Sequence, residues 1–165
     1  MLAWAYRSFY GLPPQIRARI VRLGVGTYTV GAVTLVRDAD RRHLLLVRQP
    51  PGKGWSLPGG LLNRGERPAQ GAARELAEET GLKLPPEAIT PAVPNAIVHT
   101  RGRWIDLVFD GVADPATALH ADEVEILEVG WHPVDNLPPV TPATARVLAH
   151  YGLGPLADYP EVTRP

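Results

Sequence analysis

Residues Gly60 to Leu82 read GLLNRGERPAQGAARELAEETGL. Pro68 suits the first turn of a helix, where its missing N–H leaves nothing unpaired. Gly81 is placed to end that helix in a left-handed conformation. Between them Ala69, Ala72, Ala73 and Leu76 recur at helical spacing and make a narrow apolar stripe for packing. Glu75, Glu78 and Glu79 stand at i, i+3 and i+4, so they share another face within an arc of roughly 100°. Each like-charged i,i+4 pair costs about a few tenths of a kcal/mol in a helix. A hard divalent cation with oxygen ligands turns that repulsion into binding. Arg74, beside the cluster, can orient a carboxylate by a two-pronged hydrogen bond.

The same stretch places Gly60, Glu66, Arg74, Glu75, Leu76, Glu78, Glu79, Gly81 and Leu82 in one register, G-x5-E-x7-R-E-U-x-E-E-x-G-U with U apolar. Seven invariant letters coincide by chance at about one start position in a billion. This is the pattern of the Nudix box, and the chain resembles a Nudix hydrolase. A solvated acidic helix face is the competing explanation for R-E-L-A-E-E alone, but Gly59, Gly60 and Glu66 at the right distance upstream argue against it. Trp55-Ser56-Leu57-Pro58-Gly59-Gly60 also resembles the entry to the box in many members of the family.

The resemblance implies an α/β fold: a Nudix-type α/β/α sandwich with a mixed sheet over residues 25–165, preceded by a helical extension over 1–24. The local patterns agree with it. Residues 28–36 (YTVGAVTLV) form a β-branched strand candidate, and 43–47 (HLLLV) read as its hairpin partner after a polar turn. Residues 49–54 are a Pro/Gly loop. Further strands are expected at 92–98, 103–113 and 125–131. A terminal helix is expected over 141–150, with Thr141 as N-cap and Pro142 at N1. The segment 3–23 reads as a helix broken near Gly11 to Pro14, with Ile16, Ile20 and Leu23 in one stripe and Arg17, Arg19 and Arg22 around it. It is expected to pack on the domain or across a homodimer. Contact with a membrane surface is the lesser reading.

A chain of 165 residues with 45% hydrophobic and 21% charged residues suits one compact domain. Having no cysteine, it excludes a disulfide framework, a thiolate metal site and a cysteine nucleophile. The run MLAWAYRSFYGL is interrupted by Arg7 and too short for a signal-peptide core or a membrane span. A cytoplasmic protein without DNA partners is expected. The zero net charge conceals a gradient: residues 1–58 carry nine Lys/Arg against two Asp, and 59–165 carry eight against fifteen Asp/Glu. No Walker loop, dinucleotide fingerprint or Ser-His-Asp arrangement is visible.

What the resemblance implies for the site is more specific. Glu78 and Glu79 are metal ligands for Mg²⁺ or Mn²⁺, with the backbone carbonyl of Gly59 as a third contribution. Glu75 is either a ligand or the general base. Another acid beyond the box is the alternative base: of the candidates Asp122, Glu123 and Glu125, Glu125 comes first, because it stands six residues before Trp131, and Glu123 second. Arg48 is a candidate phosphate contact, and Trp55 and Trp104 are candidates to stack on a base; core packing competes for both rings. His99, His120 and His132 show no metal-ligand spacing. The implied activity is hydrolysis of a nucleoside diphosphate linked to another group. ADP-ribose or a nucleotide sugar is the first choice, a nucleoside triphosphate the second and capped RNA the third. A nucleotide-binding module that no longer hydrolyses is the rival.

Overall fold

In the computed structural model, residues 7–24, 26–99, 102–121 and 124–159 are described, the side chains of residues 22 and 23 excepted. The centre of the sheet is β1 (Thr29–Arg37), parallel to β6 (Trp104–Val112) in unbroken register from Thr29 opposite Trp104 to Arg37 opposite Val112. β6 pairs antiparallel with β5 (Thr90–His99), whose ladder is interrupted between Pro91 and Ala96. β2 (His43–Arg48) is flanked by β3 (Trp55–Ser56) and β7 (Glu128–Pro133), both antiparallel to it. β4 (Gly59–Leu61) lies antiparallel to β1 at Gly31–Val33.

The strand β1 reads as a nearly continuous apolar run because both of its faces are covered. Side chains alternate across a strand, so neighbours in sequence report opposite layers. Ala32 and Val36 meet Ala72, Ala73 and Leu76 of helix α2 (Pro68–Thr80), together with Leu45 and Phe109. Leu35 faces the other way and packs with Leu44, Leu46 and Val108 against Val147 and Leu148 of α3 (Pro142–Ala149). The result is the expected α/β/α sandwich around a seven-stranded mixed sheet.

The terminal helix and the box helix match their sequence signals. Thr141 caps α3 by accepting the Thr144 N–H at 3.3 Å. Helix α2 begins with Pro68 at its N-terminus, and Gly81 closes it at φ 72°. Two short strands, β3 and β4, were not apparent in the pattern, because Trp55 to Leu61 is dominated by Pro and Gly. The expected hairpin of β1 with β2 is reduced to Arg37 opposite Leu44, since β4 takes the other end of β1. β7 begins at Glu128 rather than 125, which leaves Glu125 in the preceding turn.

The N-terminal extension does not follow the first of its two expected packings, that on its own domain. Residues 1–6 lie outside the described part. Helix α1 (Pro14–Gly24) does not bury its stripe on the domain: Ile16 is 46% and Ile20 44% exposed, and Val21 is exposed beside them. A stripe left in water contributes little to the stability of the domain. Deleting residues 1–24 should therefore change stability by about 1 kcal/mol or less, roughly 2–4 °C in Tm for a domain of this size. A calorimetric scan checks this, and a loss of ten degrees or more would show that the extension supports the core. Light scattering on the same protein reports whether the segment joins two copies.

Candidate active site

Helix α2 lies over β4, and the two are joined by charge. Gly60 faces the helix with a bare Cα; a Cβ there would fall 2.5 Å from the Glu75 carboxyl carbon. Gly59, at φ 155°, has no more room, since a Cβ would lie 2.4 Å from the Ala32 carbonyl oxygen. Gly60 therefore lets the Glu75 carboxylate come down onto strand backbone, and Gly59 lets that strand lie close against β1. The Gly59 N–H donates to Glu79 Oε2 at 2.8 Å, and the Gln49 side-chain amide donates to Glu79 Oε1 at 2.7 Å.

Arg74 organises the remaining acids. Its Nε and one terminal nitrogen donate to both oxygens of Glu66, at 2.9 and 3.0 Å. The same terminal nitrogen reaches the Leu61 carbonyl on β4 at 3.1 Å. The other donates to Glu75 Oε1 at 2.8 Å and Glu78 Oε2 at 2.9 Å. Glu66 also accepts the Asn63 N–H at 2.9 Å, which fixes the loop leading into α2. The Arg74 guanidinium, helped by that N–H, pulls the Glu66 carboxyl down to about 2. In return the carboxylates of Glu66, Glu75 and Glu78 raise Arg74 above its ordinary range.

Glu79 behaves oppositely. Only 4% exposed, it is pushed up to about 7, first by burial and then by the charges of Glu75 and Glu125; its bonds from Gly59 and Gln49 work against that rise. Its folded pKa exceeds the ordinary 4.5, so protonation favours the folded state. The stability this provides is complete below about pH 4.5 and is lost as pH rises through 7, a change of about 3 kcal/mol. Glu66 has the opposite sign: its contribution is present above 4.5 and disappears toward pH 2. Without divalent ions, the wild type should lose stability relative to Glu79→Gln between pH 5 and pH 8. Chemical denaturation in chelator at both pH values tests this, and equal pH slopes for the two proteins would contradict the buried-acid account.

The structure brings Glu75, Glu78, Glu79 and Gly59 to one place. At Gly59 the N–H contacts Glu79; the carbonyl is the group expected to serve a metal. The carboxylates do not form a closed ligand set, because Arg74 stands between Glu75 and Glu78. Among the described residues no three acidic or histidine side chains converge at metal-holding distances. Glu78, its side chain 57% exposed, is held only from the Arg74 side. The donors are oxygen throughout, and that chemistry fits a hard divalent ion. Glu125, exposed in the turn before β7, is near enough for its charge to act on Glu79. Asp122 and Glu123 lie outside the described residues.

The expected substrate contacts are engaged with protein. Arg48 is ion-paired to Glu128 across β2 and β7. Trp55 packs against the α3-side core and meets the His132 ring edge-on at 4.3 Å. Trp104 stacks on His99 at 4.5 Å, and its indole N–H donates to Asp106 at 3.3 Å. Asp106 also bonds His99 Nε2 at 2.8 Å. Sequence reasoning gave Gln49 no role in the site, its only signal being a polar residue that opens the Pro/Gly loop straight after a buried strand.

The chain belongs to the Nudix family, whose fold it has: the NUDIX domain profile matches residues 27–151. The chain is 46% identical over 111 residues to an octanoyltransferase of Myxococcus xanthus, covering 61% of this chain but only 30% of that protein. It is 30% identical over 132 residues to a Nudix hydrolase of Bacillus subtilis, covering 74% of this chain and 78% of that one. An 8-oxo-dGDP phosphatase of Homo sapiens is 32% identical over 132 residues, 74% of this chain and 36% of the human protein. An RNA pyrophosphohydrolase of Agrobacterium fabrum is 32% identical over 104 residues, with coverage of 51% and 60%. The Nudix domain of Shewanella oneidensis NrtR, solved with ADP ribose, shares the fold at a TM-score of 0.62 and 18% identity, over 79% of this chain and 90% of that one. Among the described residues no helix is long and apolar enough to cross a membrane.

Proposed function

We propose that the chain is a metal-dependent pyrophosphohydrolase that cleaves a phosphoanhydride in a nucleoside diphosphate linked to another group. The observation that carries this reading is the placing of Glu75 against the bare Cα of Gly60 and of Glu79 on the Gly59 N–H, with Arg74 bridging Glu75 to Glu78 on the same helix. Glu78, Glu79, Glu75 and the Gly59 carbonyl would hold Mg²⁺ or Mn²⁺. That ion would neutralise the charge on the phosphate oxygens and make water a better nucleophile.

The chain's own residues account for the rest of the step. Water adds to one phosphorus, the bridging oxygen leaves with the other phosphate, and a carboxylate takes the water's proton. Glu125 is the favoured acceptor, because it is exposed in a turn within electrostatic reach of Glu79 and is committed to no strand. Glu75 is the alternative, although its Oε1 already accepts from Arg74. Arg74 orients the carboxylates. ADP-ribose or a nucleotide sugar is the preferred substrate class, supported by the ADP-ribose complex of the fold relative. The names of the 8-oxo-dGDP phosphatase and the RNA pyrophosphohydrolase keep phosphorylated nucleosides and RNA ends within the same chemistry. A cytoplasmic enzyme, active as a monomer or a homodimer, is the form proposed.

A phosphate-release panel of ADP-ribose, nucleotide sugars, nucleoside triphosphates and triphosphorylated RNA, with Mg²⁺ or Mn²⁺, tests the reading. Turnover should vanish in excess chelator and in Glu79→Gln. Tight nucleotide binding without turnover of any substrate would make the chain a binding module. For the proton acceptor, Glu125→Gln should lower kcat by about 10²–10⁴-fold with little change in KM. Its rate profile over pH 6–9 should lose the acidic limb. Near-normal kinetics in that variant, with the same loss in Glu75→Gln, would assign the role to Glu75.

A further inference from the structure

Glu79 is the most constrained acid of the site, and one of its two constraints comes from outside the box. Each carboxylate oxygen accepts one N–H: Oε2 from the Gly59 backbone at 2.8 Å, Oε1 from the Gln49 side chain at 2.7 Å. An ionised carboxylate only accepts, so it is the NH₂ end of the Gln49 amide that faces it. Two donors on different oxygens fix the plane of the group and leave lone pairs on both for a cation. They also offset part of what burial costs the charged form.

Gln49 is well placed to hold that direction. It follows β2 directly, and its carbonyl accepts the Gly52 N–H at 2.8 Å, closing the turn behind it. The preceding carbonyl, that of Arg48, accepts the Leu127 N–H at 2.8 Å, while the Arg48 side chain pairs with Glu128. The end of β2 thus fastens two things at once: the carboxylate of Glu79 and the turn that carries Glu125.

We propose that Gln49 is a positioning residue, whose amide holds the Glu79 carboxylate oriented for a divalent cation. It touches neither substrate nor cation and acts through Glu79. This rests on the metal-dependent reading of the site. Hydrogen-bond partners behind a metal ligand, when removed, typically cost about 10–100-fold in metal affinity.

The test is titration calorimetry of the full chain with Mn²⁺, without substrate, on wild type, Gln49→Met, Gln49→Ala and Lys53→Ala. Lys53 is an exposed residue of the same loop and belongs to no part of the site. Both Gln49 variants should bind Mn²⁺ about 10–100-fold more weakly, and Lys53→Ala should match the wild type. Turnover at saturating Mn²⁺ should return to within about threefold of wild type, because a positioning defect is overcome by mass action. The use of two replacements of different size keeps the test open if one fails to fold, as judged by circular dichroism. Wild-type affinity in a folded Gln49 variant overturns the proposal and leaves the metal reading intact, as does an equal loss in Lys53→Ala. A wild type that binds no Mn²⁺ overturns both.

Discussion

Four carboxylates, those of Glu66, Glu75, Glu78 and Glu79, are crowded along one edge of helix α2, and a single guanidinium holds three of them. Arg74 can do this because its donors form a rigid fork with more N–H groups than any one acid can use. It spends two on Glu66, shares one nitrogen between Glu75 and Glu78, and reaches back to the Leu61 carbonyl. That last bond matters for the fold. It ties the helix to β4, so the charge cluster and the strand beneath it keep one relative position. A lysine would keep the charge but lose the geometry, since a point charge cannot bridge three carboxylates and a carbonyl in fixed directions.

The sheet follows from the same constraint. If Glu75 is to descend on a strand, the strand must lack a side chain there, and Gly60 supplies that, while Gly59 lets the strand lie close on β1. A two-glycine strand is poorly ordered alone. It is held by antiparallel pairing to β1, from Gly31 opposite Leu61 to Val33 opposite Gly59. β1 can hold it because its other edge is locked in parallel register to β6 and its faces are buried by α2 and α3. The site is thus the rim of a rigid core, and precision at Glu79 is inherited from packing at Ala32, Leu35 and Leu76.

Much of this was legible in the sequence. The box helix was readable because Pro68, the alanine stripe and Gly81 mark its start, packing face and end with different chemistries. β1 and β6 were readable from β-branched runs and alternation. What escaped has a common cause: short segments whose conformation is set by partners distant in sequence. β4 looks like a turn until β1 and α2 are placed around it. Gln49 is one polar residue after a strand until Glu79, thirty positions later, is brought to it. Trp55 and Trp104 had two readings in the sequence, a base or a protein partner. An aromatic ring near a proposed site is as readily taken up by a protein partner, here His132 and His99. The N-terminal stripe was readable as a helix, but what it packs on is not encoded in its own pattern, and the fold leaves it exposed.

The charge gradient along the chain is resolved in a way that sharpens the site. Two residues of its basic half are drawn into the sheet: Arg37 pairs with Asp110 across β1 and β6, and Arg48 pairs with Glu128 across β2 and β7. Parallel and antiparallel pairing bring these two arginines to later acids, and their charge is cancelled within the sheet. The box acids are the exception, with one arginine set against four carboxylates. Glu79 shows how the imbalance is carried without another cation: burial and its neighbours move it toward the neutral form. A divalent ion would remove the need for that protonation, and two N–H donors already aim the carboxylate for the charged state.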